Sequence, residues 1–137
     1  MKKIVSSLII ISVLFTGCKK AIEDILQDAV IQAMTNGQWK ITSFTKDGNN
    51  ITASFSEYKF QYYSNKTVDA IKNGTVETTG NWDGNAATMT TWASFTNVNE
   101  PLSLINGNWH IDDNSWTFVE ASQNNGSEIK TMRLDKQ

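Results

Sequence analysis

From residue 37 onward the chain consists of short runs of alternating apolar and polar residues, separated by pairs that favour tight turns. The clearest unit is Thr67–Lys72, Asn73-Gly74 and Thr75–Trp82. An Asn-Gly pair between two such runs is typical of a β-hairpin, because both central residues of its turn need a positive φ. Threonine is frequent in the runs and asparagine in the gaps, as expected for strands and turns. The pattern predicts an all-β domain.

We identify eight predicted strands, connected mostly by short turns. They cover residues 38–46, 57–63, 67–72, 75–82, 87–93, 108–112, 115–121 and 128–135. One irregular stretch, Ala93–Gly107, contains Pro101, which favours the first position of a helical turn. Closing sequential antiparallel strands into a ring removes both sheet edges. We therefore expect an eight-stranded up-and-down barrel over residues 37–137, with a two-layer sandwich as the alternative.

A short amphipathic helix is predicted before the barrel, over residues 21–35. Its apolar stripe consists of Ile22, Ile25, Leu26, Ala29, Val30 and Ala33. A single helix of this length is marginal in water, so the stripe must pack on the barrel or on a membrane surface. The opposite face is acidic and would be repelled by anionic lipid, which favours the barrel.

The first seventeen residues have the pattern of a signal peptide. Lys2 and Lys3 precede a twelve-residue apolar run, Ile4–Phe15. As a helix this run would span about 18 Å, less than the roughly 30 Å of a bilayer core. The segment that ends in Thr16-Gly17-Cys18 resembles a bacterial lipobox. This resemblance implies cleavage after residue 17 and acylation of Cys18, so that residues 18–36 form a lipidated N-terminus and the helix.

The same resemblance implies a location. Acyl chains such as palmitate on Cys18 would attach the protein to a membrane of the Gram-negative cell envelope. A residue other than Asp after the cysteine, here Lys19, implies the outer membrane. We expect the anchored domain to face the periplasm, with display at the cell surface as the alternative.

The start of the first strand, Gly37-Gln38-Trp39, resembles the Gly-x-Trp signature of lipocalins. Later motifs, among them Thr79–Trp82 and Trp109–Ile111, follow the order seen in Bacteroidetes-type lipocalin-like lipoproteins. The resemblance covers about residues 36–135. It implies that Trp39 closes one end of the barrel and that Arg133, the only arginine, packs on this ring by a structural cation–π contact.

Catalytic and metal-binding patterns are weak. His110 is the only histidine, and it shares with Asp112 the strand face opposite to the apolar residues. Two ligands are too few for a metal site. Asp112 and Asp113 are neighbours on a strand, so their carboxylates point to opposite faces.

The chain has no Gly-x-Ser-x-Gly motif and no phosphate-binding glycine loop. A net charge of −2 without a basic stripe argues against nucleic acid. We expect no enzymatic activity, no cofactor and no metal.

Eight aromatic residues are expected to share the barrel interior. They are Trp39, Tyr58, Phe60, Tyr62, Trp82, Trp109, Trp116 and Phe118. Such residues either fill a core or line a ligand pocket. Tyr62, Met89 and Trp92 are predicted to line a pocket, because both faces of their strands carry bulky apolar groups. The expected function is an envelope lipoprotein that binds a small apolar ligand in its barrel. The alternative is a solid-core interaction module that acts through its loops.

Overall fold

A computed structural model describes residues 11–137, with side chains from Cys18 onward. The predicted signal peptide, residues 1–17, therefore lies outside the residues whose side chains are described. The elements are α1 (Ile11–Thr35), β1 (Gln38–Lys46), β2 (Asn49–Asn50), the 3₁₀ helix η1 (Thr52–Phe55), β3 (Tyr58–Tyr62), β4 (Thr67–Lys72), β5 (Thr75–Asn85), β6 (Thr90–Ser94), the 3₁₀ helix η2 (Leu102–Ile105), β7 (Gly107–Asn114), β8 (Phe118–Asn124) and β9 (Ile129–Lys136). Among the described residues no helix is long and apolar enough to cross a bilayer.

The sheet is a closed ring of eight antiparallel strands. Strands β3 to β9 pair in sequence order, and β1 pairs with both β3 and β9. Trp39 in β1 illustrates the closure, since it is opposite Phe60 on one side and Lys136 on the other. The two-residue strand β2 adds only a short hairpin to the end of β1. The predicted eight-stranded antiparallel barrel, preceded by a helix, is confirmed.

The end of the barrel remote from α1 is filled by side chains. The ring of Phe44 lies 4.7 Å from that of Phe55, which η1 contributes, and 6.0 Å from that of Trp109. η2 adds the buried side chains of Leu102 and Leu104. These contacts make this half of the interior a packed hydrophobic core.

The other end is covered by the C-terminal half of α1. The indole Nε1 of Trp39 donates a hydrogen bond to the carbonyl of Met34 at 2.9 Å, and Met34 itself is buried. Val30 and Ile31 pack against the same core. The apolar stripe therefore divides, because its earlier members Ile22, Ile25 and Leu26 remain exposed.

The turn chemistry identified most strands correctly. Asn73 and Gly74 have φ values of 50° and 82°, as the predicted hairpin requires. β1 and β4 have the predicted bounds. A helical turn forms at Pro101 as expected, although Pro101 immediately precedes η2 and does not occupy its first position. The pair Asp83-Gly84 does not form a turn; β5 continues through it, and the reversal comes later, where Met89 has a φ of 52°.

Two of the eight aromatic residues, Trp116 and Phe118, are not buried, contrary to expectation. β7 continues to Asn114, past a register shift between Ile111 and Asp113. Trp116 consequently falls in the connection to β8 and is 56% exposed. Phe118 then has the outward phase of β8, opposite Asp135. The other six aromatic residues are buried.

Gly80 allows β5 and β6 to approach closely, and this gives a prediction. A Cβ at Gly80 would lie 2.5 Å from the backbone oxygen of Ser94 and 2.7 Å from the Phe95 ring. We expect Gly80→Ala to lower the free energy of unfolding by about 1–3 kcal/mol through overpacking. The matched control is Gly84→Ala in the same strand, where the nearest atom is 3.7 Å away. Urea denaturation checks both variants, and equal stabilities would contradict the close approach.

Candidate functional site

The half of the barrel next to α1 is hollow. A cavity of about 470 Å³ lies between the helix and the interior faces of β5 to β9. We call it the α1 cavity. Its roof is formed by residues of α1, namely Leu26, Ala29, Val30, Ala33 and Met34. Its aromatic lining residues are Tyr62, Trp82 and Trp109 inside the barrel, with Trp92 and Trp116 at the exposed rim. Ile105 and Met132 lie towards the packed core, and small residues such as Ala93 and Ala121 line the remaining strands.

Polar contacts fix α1 over this cavity. The Gln27 side chain makes two hydrogen bonds at the end of β5 and just beyond it. Its Nε2 donates to the Gly84 carbonyl at 2.7 Å, and its Oε1 accepts from the Ala86 backbone N–H at 2.9 Å. Nearer the C-terminus of α1, Lys136 Nζ of β9 donates to the Ala33 carbonyl at 2.9 Å. The helix is thus attached to two sides of the barrel mouth, which holds the roof in place.

The buried tryptophans of the wall have fixed orientations. Trp82 Nε1 donates to the Tyr63 carbonyl at 3.1 Å, and Trp109 Nε1 donates to the Ile105 carbonyl at 2.7 Å. The Tyr62 ring packs edge-on against Trp82 with centroids 5.2 Å apart. Because both indole N–H groups already have acceptors, these rings present apolar surface to the cavity.

The structure brings the three predicted pocket residues together. Tyr62, Met89 and Trp92 all line the α1 cavity. Tyr62 is buried within the barrel, whereas Met89 and Trp92 are partly exposed at the rim. The sequence did not predict that α1 lines the cavity, and it placed Trp116 in the barrel interior, whereas Trp116 borders the cavity from an exposed position. The alternation of apolar and polar residues within strands does not indicate which face of a helix covers the end of the barrel. It also does not indicate the conformation of a turn that connects two strands.

The predicted cation–π contact of Arg133 with Trp39 is wrong. Arg133 has the outward phase of β9, between the buried residues Met132 and Leu134. Its guanidinium lies 4.4 Å from the Phe118 ring on the outer surface and pairs with Glu120 at 2.6 Å. The cation over Trp39 is instead Lys136, whose Nζ is 5.0 Å from the ring centroid. Whether a cationic side chain contacts Trp39 therefore depends on its position along β9, and not on whether it is arginine or lysine.

The remaining candidate pair is placed at the surface. His110 Nε2 and Asp112 Oδ1 are 3.9 Å apart, and both side chains are largely exposed. Within residues 11–137 no three His, Cys, Asp or Glu side chains converge closely enough to hold a metal ion. The neighbouring residues Trp109 and Ile111 face inward and line the cavity.

The α1 cavity is electrically neutral. None of its described lining residues is Asp, Glu, Lys, Arg or His. Asp83, which lies between the lining residues Trp82 and Gly84 in β5, forms an ion pair with Lys66 at 2.8 Å. The hydrogen bond from Lys66 lowers the pKa of the Asp83 carboxyl, which keeps that pair ionised. The cavity can therefore accept apolar groups, while a charge inside it would have no counterion from the lining.

The fold is similar to that of a DUF4847 family protein from Bacteroides vulgatus ATCC 8482. The TM-score is 0.55 with 12% sequence identity, over 79% of this chain and 99% of the other. At this identity the likeness concerns the barrel fold alone. No protein-family model and no curated protein matches the sequence.

The buried tyrosines should lose their phenolic protons at a higher pH than exposed tyrosines do. Burial, together with the hydrogen bond to Glu77, raises the pKa of Tyr58 from 10.0 to about 12, and burial alone raises the pKa of Tyr62 further. Because these folded-state pKa values exceed the unfolded value, their contribution to stability is complete below pH 10 and is lost as the pH rises through them. At pH 10 the folded protein should show clearly less tyrosinate absorbance than its urea-unfolded form. Equal absorbance, with native circular dichroism retained, would contradict the burial of these rings.

Proposed function

We propose that the protein is a lipid-anchored component of the cell envelope whose barrel binds a small, largely apolar molecule in the α1 cavity. The cavity itself is the observation that supports this function best. Its volume of about 470 Å³ lies within the roughly 300–1,000 Å³ of small-molecule sites. Its walls are apolar and aromatic, as is common in such sites. A solid-core interaction module would need an interior filled on both sides of Trp109, and only the side remote from α1 is filled.

The anchor is proposed from the sequence and is compatible with the fold. Cys18 is exposed on α1, and its helical position is sixteen residues before Met34. At a rise of about 1.5 Å per residue, an acylated thiol would lie roughly 24 Å along the helix from the barrel mouth. The exposed stripe of Ile22, Ile25 and Leu26 occupies the interval. The membrane partner proposed is the outer membrane, with the barrel on its periplasmic side.

Ligand binding can be tested with an uncharged apolar fluorophore, N-phenyl-1-naphthylamine. Titration into the purified protein should give saturable fluorescence at one site, and native mass spectrometry should show one bound molecule. The variant Ala29→Trp places a large ring in the roof of the cavity and should abolish binding. The matched control is Ala21→Trp, on an exposed turn of the same helix, which should leave binding unchanged. Binding that survives Ala29→Trp, or the absence of any bound fluorophore, would contradict the proposed function.

A further inference from the structure

The α1 cavity has one polar group that its apolar walls do not explain. Tyr62 is 8% exposed, and its hydroxyl makes no hydrogen bond with any residue of the described chain. The other two tyrosines have acceptors: Tyr58 donates to Glu77 at 2.6 Å and Tyr63 donates to Asp69 at 3.0 Å. Tyr62 thus differs from both in having a phenol without a protein partner.

The hydroxyl of Tyr62 adjoins the cavity space. No fully enclosed side-chain nitrogen or oxygen of the described residues lacks a hydrogen-bond partner. Since the Tyr62 hydroxyl has none, its oxygen must be in contact with accessible space. The residue lines the α1 cavity and is otherwise buried against Trp82. The α1 cavity is the space that the Tyr62 side chain is known to line, and we assign the accessible hydroxyl to it on that ground.

Of the other polar side chains that line the cavity, Asn114 is exposed at the rim, and the rest make hydrogen bonds within the protein. Thr91 Oγ1 donates to the Asp83 carbonyl at 2.7 Å, and Asn85 Oδ1 accepts from the Thr88 backbone N–H at 3.2 Å. Ser115 Oγ accepts from the backbone of the β7–β8 connection. The buried indole N–H groups of the wall bond to backbone carbonyls. Tyr62 is consequently the buried side chain that retains a donor for a ligand.

We infer that Tyr62 is the polar anchor of the α1 cavity, and that the ligand is an uncharged, mainly hydrocarbon molecule carrying a carbonyl or similar oxygen acceptor that the Tyr62 hydroxyl bonds. This inference rests on the proposed function, because it names the class of ligand for the same site. The neutral lining excludes a buried ionised carboxylate or phosphate, which would have no counterion. A pure hydrocarbon would fill the space and leave the hydroxyl without a partner, which is unfavourable.

The test compares three probes of matched chain length: undecane, 2-undecanone and the undecanoate anion. Each is measured by displacement of N-phenyl-1-naphthylamine from the whole protein. We expect 2-undecanone to bind most tightly. Tyr62→Phe removes the hydroxyl with little change of shape, and it should weaken 2-undecanone binding roughly 2- to 10-fold while undecane binding changes less than about 2-fold. Tyr58→Phe removes a hydroxyl that is outside the cavity, and should alter neither affinity.

The outcomes separate this inference from the proposed function. If neither the fluorophore nor any probe binds, the proposed function fails together with the inference. If the fluorophore binds but undecane equals 2-undecanone, or undecanoate binds most tightly, the inference is overturned and the proposed function stands. Should Tyr62→Phe fail to fold, the carbonyl stretch of bound 2-undecanone in the unaltered protein decides the matter. A shift to lower wavenumber relative to hydrocarbon solution supports the hydrogen bond, and an unshifted band overturns it.

Discussion

Replacing Trp39 by alanine should lower the free energy of unfolding by about 3–5 kcal/mol, the range found when large aromatic residues are removed from a core. Trp39 is 0% exposed, and it lies where β1, β3 and β9 close the ring. Its removal would leave a void beneath α1, an unbonded Met34 carbonyl and a Lys136 ammonium without its aromatic contact. Urea denaturation followed by far-ultraviolet circular dichroism measures the loss.

Trp116→Ala is the matched control for this prediction. It removes the same side chain from the exposed connection between β7 and β8. The expected change in unfolding free energy is within about 0.5 kcal/mol, as for most surface substitutions. A Trp39→Ala variant as stable as Trp116→Ala would contradict the role of Trp39 in closing the barrel. A large loss in both would mean that the rim of the α1 cavity is more tightly packed than the exposure of Trp116 indicates.

The barrel was predictable because its determinants are local. Consecutive residues determine both the alternation of buried and exposed side chains and the turns that need a positive φ. Asn73 and Gly74 are an example of such a turn. The closure followed from a general argument, since eight sequential strands otherwise leave two unpaired edges. Even the inward position of Trp109 could be obtained from alternation with His110.

The α1 cavity depended on information that the sequence pattern does not contain. Its volume depends on the position of α1 at the end of the barrel. Contacts between residues that are far apart in the sequence, such as Gln27 with Gly84, determine that position. Its rim depends on a register shift in β7, which delays the turn and exposes Trp116. The Arg133 prediction came from a family resemblance, although alternation with Met132 and Leu134 would have placed that side chain outside.

Replacing Cys18 by serine should move the protein from the membrane fraction to the soluble fraction, an effect close to complete. Each buried CH₂ group of an acyl chain contributes about 0.8 kcal/mol, so two or more chains hold a protein firmly, whereas one exchanges. Cys18 is the only cysteine, so no second thiol can substitute for it. The substituted chain is expressed behind a signal peptide that is cleaved without a cysteine, so that uncleaved residues 1–17 cannot retain it. Sedimentation of membranes and metabolic labelling with a fatty acid measure the change.

Further variants show how to interpret the result if Cys18→Ser remains in the membrane fraction. Lys19→Gln with Lys20→Gln alters the neighbouring charges but keeps the thiol, and it should remain in the membrane fraction. If Cys18→Ser still sediments, lipid anchoring through the cysteine is contradicted, and the exposed apolar stripe of α1 becomes the remaining attachment. Adding Ile22→Ser and Ile25→Ser would then release the protein, because these two side chains are exposed on α1 and lie outside the lining of the α1 cavity. The same double change in a chain that keeps Cys18 should leave membrane attachment intact, since acyl chains would supply most of the binding energy.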